Sequence, residues 1–328
     1  MSYAQGLYVL GDGAFAYLLP DGGWSLSNAG IIADSGEALI IDTLIDRRST
    51  EGMLSEFRRA MPRTEIGRVV NTHSHPDHTW GNWFFRDREI IASAAALADF
   101  STGDLARAMP RIRAAASADH DGVKFLKSYL ELKDVDRTGM SLVKPNRTFE
   151  GTLELRVGEK LVRLTQVGPA HSSGDIIAHV PANKIVFTGD ILFAGHHPVL
   201  GGDSSFEGWL SACDLILGLD VETVVPGHGY LAKRADVLAT RDYLIALQRE
   251  VKTRYDAGLS REDAAAEIAQ DYHRDWGCRE RIAASVAYLY HRLAQEKTDL
   301  DLLELLGSMH RLAGKLRSDA KTTAHVRA

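Results

Sequence analysis

The stretch Asn71-Thr72-His73-Ser74-His75-Pro76-Asp77-His78 packs three imidazoles and a carboxylate into the last six of its eight residues. It follows the apolar run Ile66-Gly67-Arg68-Val69-Val70, which reads as a strand. A strand delivers such a loop to the edge of a sheet, where its side chains can fan around metal. His and Asp suit Zn(II), Fe(II) or Mn(II), and no cysteine stands nearby to narrow that choice. The competing reading is a polar loop whose histidines only cap a helix start.

Outward from this stretch, the chain of 328 residues is long enough for one large domain or two modest ones. Hydrophobic residues are 45% and charged residues 25%, ordinary for a globular enzyme. The formal charge of -6 argues against a nucleic-acid partner, because phosphate binding favours a basic face. Two cysteines, Cys213 and Cys278, cannot make a disulfide framework. The N-terminus has neither a basic n-region nor a long apolar h-region, and no stretch approaches a membrane span. A soluble cytoplasmic protein is the expectation.

The first half alternates short β-branched runs with turn signals. Phe15–Leu19 leads into a turn at Pro20-Asp21-Gly22-Gly23, and Ala29–Ala33 with Ala38–Ile41 read as a hairpin about Asp34-Ser35-Gly36. Met53, Leu54, Phe57 and Met61 share one helical face, ended by Pro62. Residues 93–136 look helical and separate this unit from a second one. That unit has strands near Leu153–Val157, Leu161–Val167, Ile176–Val180, Ile185–Thr188 and Thr223–Val225, with a helix around Phe206–Leu217. Two β-rich halves with flanking helices predict two sheets packed face to face. From about 234 onward the pattern is helical, with a frayed end over 315–328, and serves as a lid, packing layer or dimer surface.

Three later loops complete the histidine stretch. Gly168-Pro169-Ala170-His171 follows a strand, Phe187-Thr188-Gly189-Asp190 ends one in a carboxylate, and Val225-Pro226-Gly227-His228-Gly229 sets a histidine between glycines. Alone, each is an ordinary turn residue; in this order they belong together. Through His-x-His-x-Asp-His, the isolated His, Thr-Gly-Asp and Pro-Gly-His-Gly, residues 7–235 resemble the metallo-β-lactamase-fold hydrolases. The resemblance implies an αββα sandwich with a dinuclear metal site at the sheet edges. The catalytic domain would span 1–235, with a helical insertion over about 93–147, and 236–328 would form a helical C-terminal extension. His73, His75 and His171 would bind the first metal, Asp77, His78 and His228 the second, and Asp190 would bridge them. The ions would be Zn(II), with Fe(II) or Mn(II) as alternatives. No cysteine occupies a ligand position, which separates the chain from β-lactamases that use one and favours glyoxalase-like and lactonase-like branches. Asp42 matches the family's strand-end acceptor that orients a ligand histidine; the alternative is a helix N-cap before residue 47.

Two divalent ions lower the pKa of a shared water from about 15.7 towards neutrality and polarise a carbonyl oxygen. Asp77 and Asp190 are therefore the expected catalytic carboxylates. Segments around 19–30, Thr79–Asn82 and Gly189–Phe193 resemble the cyclase/thioesterase group of bacterial aromatic polyketide pathways. That resemblance implies a small-molecule, CoA-bound or carrier-protein-bound acyl thioester, cleaved, cyclised by aldol-type chemistry, or both. Lactonase, glyoxalase-like and broad ester or β-lactam hydrolysis are alternatives, and a metal-stabilised binding protein is the reading from outside enzymology. Trp24, Asn28, Trp80 and Phe193 are expected on the substrate side, with His196 and His197 at the pocket rim.

Overall fold

The structure is a computed structural model and describes residues 3–20, 23–115, 119–132 and 135–326. Part of the turn expected at residues 20–23 lies outside the described residues. Seven strands hydrogen-bond in chain order: β1 (Gly6–Gly11), β2 (Ala14–Leu18), β3 (Ala29–Asp34), β4 (Glu37–Ile41), β5 (Glu65–Val70), β6 (Glu89–Ser93) and β7 (Arg147–Phe149). The first four pair antiparallel, and β4 to β7 run parallel. The expected hairpin is β3–β4, in register Gly30 to Ile41. A second sheet contains β8 (Thr152–Val157), β9 (Lys160–Gln166), β10 (Ile176–Val180) and β11 (Ile185–Phe187). A short β12 (Phe193–Ala194) follows, then β13 (Thr223–Val225), which joins the second sheet beside β11, and β14 (His228–Gly229), which pairs with β12.

Period-two alternation assigns each face. Ala14, Ala16 and Leu18 of β2 join Ile32, Leu39, Ile41 and Val70 in a buried layer against Leu155, Val162, Leu164, Ala178 and Phe187 of the second sheet. Phe15 and Tyr17 point the other way, into a second layer with Ile31, Ile40 and Val69. Helix α1 (Arg47–Ala60) closes that layer with Met53, Leu54 and Phe57, as their spacing predicts. Each fully buried Leu, Ile or Phe here contributes roughly 1.5–3 kcal/mol.

The remaining helices are α2 (Pro76–Thr79), α3 (Ala94–Thr102), α4 (Asp104–Ala114), α5 (Asp121–Leu132), α6 (Phe206–Gly218), α7 (Arg234–Asp256), α8 (Arg261–Asp271), α9 (Arg281–Leu293) and α10 (Leu302–Val326). In α6, Phe206, Trp209, Cys213 and Ile216 recur at helical spacing and are buried. The result is an α/β sandwich with helices flanking its sheets. Two compact units divide the chain: residues 1–103, 135–196 and 203–241, and residues 104–134, 197–202 and 242–328. The first holds both sheets. The second groups α4 and α5, from the stretch read as an insertion, with the C-terminal helices, so the compact units cut across the sequence-based division. Within it α10 packs against α5, α8 and α9, and it continues as helix to Val326 where a frayed end was expected. At the α5–α10 crossing a Cβ on Gly122 would lie 2.2 Å from the Leu303 carbonyl oxygen, so only glycine fits. No helix among the described residues is long and apolar enough to cross a membrane.

Candidate metal centre

Strand direction explains why distant residues converge. Parallel β4 and β5 end at Ile41 and Val70, and parallel β11 and β13 end at Phe187 and Val225. β9 runs with β11, since both are antiparallel to β10. The loops carrying Asp42, His73–His78, His171, Asp190 and His228 therefore all leave the C-terminal ends of their strands. Ligand atoms of His73, His75, His171 and Asp190 lie within 4.8 Å of one another, as do those of Asp77, His78 and His228. Asp190 joins the two groups: one carboxylate oxygen is 3.1 Å from His78 Nε2, and the other is 3.4 Å from His171 Nε2 and 3.5 Å from His228 Nε2.

Hydrogen bonds behind the cluster fix which ring nitrogen faces inward. His78 Nδ1 donates to Asp42 at 2.8 Å, and His228 Nδ1 donates to the Gly23 carbonyl at 3.0 Å. Thr72 Oγ1 gives its proton to Asp42, so it accepts from His73 Nδ1 at 3.1 Å. In all three rings the Nε2 lone pair is left pointing into the cluster. His73 Nε2, His78 Nε2 and one Asp190 oxygen are buried, and apart from the 3.1 Å approach of the last two to each other they have no hydrogen-bond partner among the described residues. His75 Nδ1 and His171 Nε2 face each other at 3.1 Å. Buried acceptors without donors are costly, and divalent cations satisfy them. The donor set thus fits two such ions, through nitrogen and oxygen with no sulfur. His75 is the N-cap of α2, yet its side chain caps nothing, which removes the helix-capping explanation.

Burial pushes the His171 pKa down to about 3 and holds His73 well below the usual histidine range, the neutral state that ligation needs. Burial opposes protonation of His78 as well, but Asp190, Asp42 and Asp77 outweigh it and raise its pKa well above normal. Burial likewise works against the Asp77 carboxylate, and His78 and His228 overcome that to hold its pKa well below normal. Protons on the imidazoles compensate the carboxylates, and a bound divalent ion would displace them.

Asp42 sits at φ 61° and accepts the Thr72 backbone N–H and hydroxyl, both at 2.7 Å, besides His78. The N-cap of α1 is Asp46, not Asp42. Gly227 is obligatory, because a Cβ there would stand 2.0 Å from an Asp190 oxygen.

Several residues expected on the substrate side have other work. Asn28 is buried, and its amide donates to the Pro226 and Gly229 carbonyls, so it shapes the His228 loop. Phe193 is buried and stacks on His228 at 5.1 Å, a packing role behind the ligands. His197 is 0% exposed and belongs to the helical unit; its Nδ1 meets the Tyr243 hydroxyl at 3.0 Å and its Nε2 the His273 carbonyl at 3.2 Å. It is a structural histidine, and the rim assignment is corrected. His196 is half-buried, with Nδ1 3.1 Å from the Ala194 carbonyl, and Trp24 is half-buried beside Gly23. Trp80 lies under the Arg137 guanidinium, 4.2 Å from ring centre.

Sequence reading missed Thr72, Arg137 and the role of Trp209. Trp209 sets its ring edge against His171 at 5.3 Å while Nε1 donates to the Ile191 carbonyl. Only its place on the buried stripe of α6 signalled it.

This fold and site define a class: the chain belongs to the metallo-beta-lactamase superfamily, whose family model matches residues 22–228. Among curated proteins it is similar to the 2,4-dinitroanisole O-demethylase subunit alpha of Nocardioides sp. (strain JS1661), 23% identical over 70% of this chain and 57% of that one. It is 26% identical to the acyl-coenzyme A thioesterase MBLAC2 of Gallus gallus, over 62% of this chain and 72% of the relative. Among solved structures, the inverting sec-alkylsulfatase Pisa1 from Pseudomonas sp. superposes with a TM-score of 0.62 at 18% identity, over 88% of this chain and 50% of that one. The chain thus spans little more than half the demethylase subunit and half the sulfatase.

Proposed function

We propose that this chain is a metal-dependent hydrolase that cleaves acyl thioesters, small or carried on CoA or a carrier protein. The observation that carries the proposal is the set of buried, inward-facing donor atoms on His73, His78 and Asp190 that meet no group outside the cluster. His73, His75 and His171 would hold one ion and Asp77, His78 and His228 the other, with Asp190 between them. When bound, the ions supply Lewis-acid polarisation of a carbonyl and a nucleophilic water at neutral pH. Zn(II) leads among the candidates; Fe(II) and Mn(II) accept the same donors.

The protein's own residues supply orientation and proton handling. Asp42 and Thr72 keep the His73 and His78 lone pairs directed inward. Asp77 and Asp190 carry the negative charge and offer carboxylate oxygens as proton acceptors. His75 and Asp77 are the half-buried members of the cluster, so substrate would approach from their side. The named thioesterase relative supports the thioester, which is why hydrolysis is put ahead of polyketide cyclisation and of the lactonase and β-lactam readings.

The test is a substrate panel of acyl-CoA, N-acyl lactone and β-lactam on metal-loaded protein. Thioester cleavage should lead, and His73→Ala or Asp77→Ala should abolish it. Full turnover by metal-stripped protein would overturn the proposal.

A further inference from the structure

Arg137 combines a permanent charge, partial burial and a lack of partners. Its Nε donates to the Ile45 carbonyl at 3.2 Å, and its guanidinium carbon lies 4.2 Å from the centre of the Trp80 ring. Among the described residues its two terminal nitrogens make no hydrogen bond and no ion pair. Burial lowers its pKa, with Asp77 and Asp46 opposing that. Both carboxylates are committed elsewhere: Asp46 to the Ser49 and Asp136 backbone amides, Asp77 to the metal cluster. Trp80 follows Asp77 by three residues, across a break in the helix at Thr79 (φ -128°, ψ -12°), and the Asp77 charge acts on the Arg137 guanidinium packed against that ring. Asp77 is one of the two half-buried members of the cluster.

Beyond the Ile45 carbonyl and the Trp80 ring, the guanidinium keeps two terminal nitrogens with which to meet an anion. Two divalent ions against two carboxylates also leave the cluster net positive, which favours an anion between it and Arg137. The planar fork of Arg matches a carboxylate bidentately, and the Trp80 ring packed against it limits its movement. Resting on the hydrolase reading, we propose that Arg137, braced by Trp80, binds a carboxylate on the acyl part of the substrate and makes the enzyme selective for carboxy-acyl thioesters. The cluster residues would hold the ions that polarise the scissile carbonyl, while Arg137 fixes the far end of the acyl chain.

The test compares the succinyl thioester of N-acetylcysteamine with the same thioester carrying its distal carboxylate as a methyl ester, which differ in one negative charge, on zinc-loaded full chain. Wild type should favour the succinyl thioester in kcat/KM, and Arg137→Gln should reduce that preference about 10- to 100-fold, chiefly through KM. Arg137→Lys should recover part of it. In parallel, calorimetric titration of the zinc-loaded chain with succinate should show weaker binding in Arg137→Gln at unchanged zinc content and melting temperature. A preference and a succinate affinity within twofold of wild type in Arg137→Gln would overturn the inference. If neither thioester turns over, the thioesterase reading fails, and the succinate titration still decides the role of Arg137.

Discussion

Replacing Asp42 with Asn tests how the cluster is held without touching a ligand. Asp42 is at φ 61°, a conformation Asn tolerates, so the backbone is spared the strain Ala would add. The carboxylate accepts three hydrogen bonds, from the Thr72 amide, the Thr72 hydroxyl and His78 Nδ1. Asn has one acceptor oxygen, so its NH2 group must face one of those donors. If it faces His78, it donates to Nδ1 and drives the ring proton to Nε2, the nitrogen aimed at the second ion. If it faces Thr72, the loop carrying His73 loses a charge-assisted bond. Hydrogen bonds to a charged group contribute about 1.5–3 kcal/mol each. Groups that orient metal ligands typically change affinity about 10- to 100-fold, or roughly 1.4–2.7 kcal/mol. Asp42→Asn should therefore bind the more weakly held ion about 10- to 100-fold less tightly, read by competition with a chromogenic chelator. A folded variant that binds both ions within twofold of wild type would show that Asp42 does not orient the ligands.

Gly227→Ala should lose roughly a hundredfold or more in activity with little change in circular dichroism, because its Cβ must displace an Asp190 oxygen 2.0 Å away. Elemental analysis should show that variant short of metal. For His197, burial pushes the pKa down to about 3 from an ordinary 6.5. The unfolded chain therefore binds the extra proton between those values, so this stability is fully present above pH 6.5 and is lost as pH falls towards 3. At pH 5 the loss is about 2 kcal/mol. Urea unfolding of wild type and His197→Phe at pH 5 and 7.5 should show a steeper acid loss in wild type; equal slopes would contradict the assignment.

Much of this was legible in the sequence because period-two alternation and strand-end loops are local signals. The β3–β4 hairpin, α1, β10 and α6 stand where alternation and helical spacing put them. The ligand loops could be read because metal chemistry demands rare residue types at fixed spacing. What stayed hidden depends on pairing across distance. Thr72 looks like any loop threonine until its hydroxyl is seen between Asp42 and His73. Asn28 and His197 looked available to a ligand because a polar side chain in a loop carries no mark of burial; their partners lie 198 and 46 residues away. Arg137 lies beyond the helical stretch, in a segment with no motif, and only folding sets it on Trp80.

On the proposed reading, these seven side chains hold two metal ions. The direct test is elemental analysis of the zinc-reconstituted chain after gel filtration, beside His228→Ala. Two ions per chain are predicted from the two donor groups, falling to about one in the variant. A wild-type content well below one ion per chain, in protein that still cleaves thioesters at full rate, would contradict it.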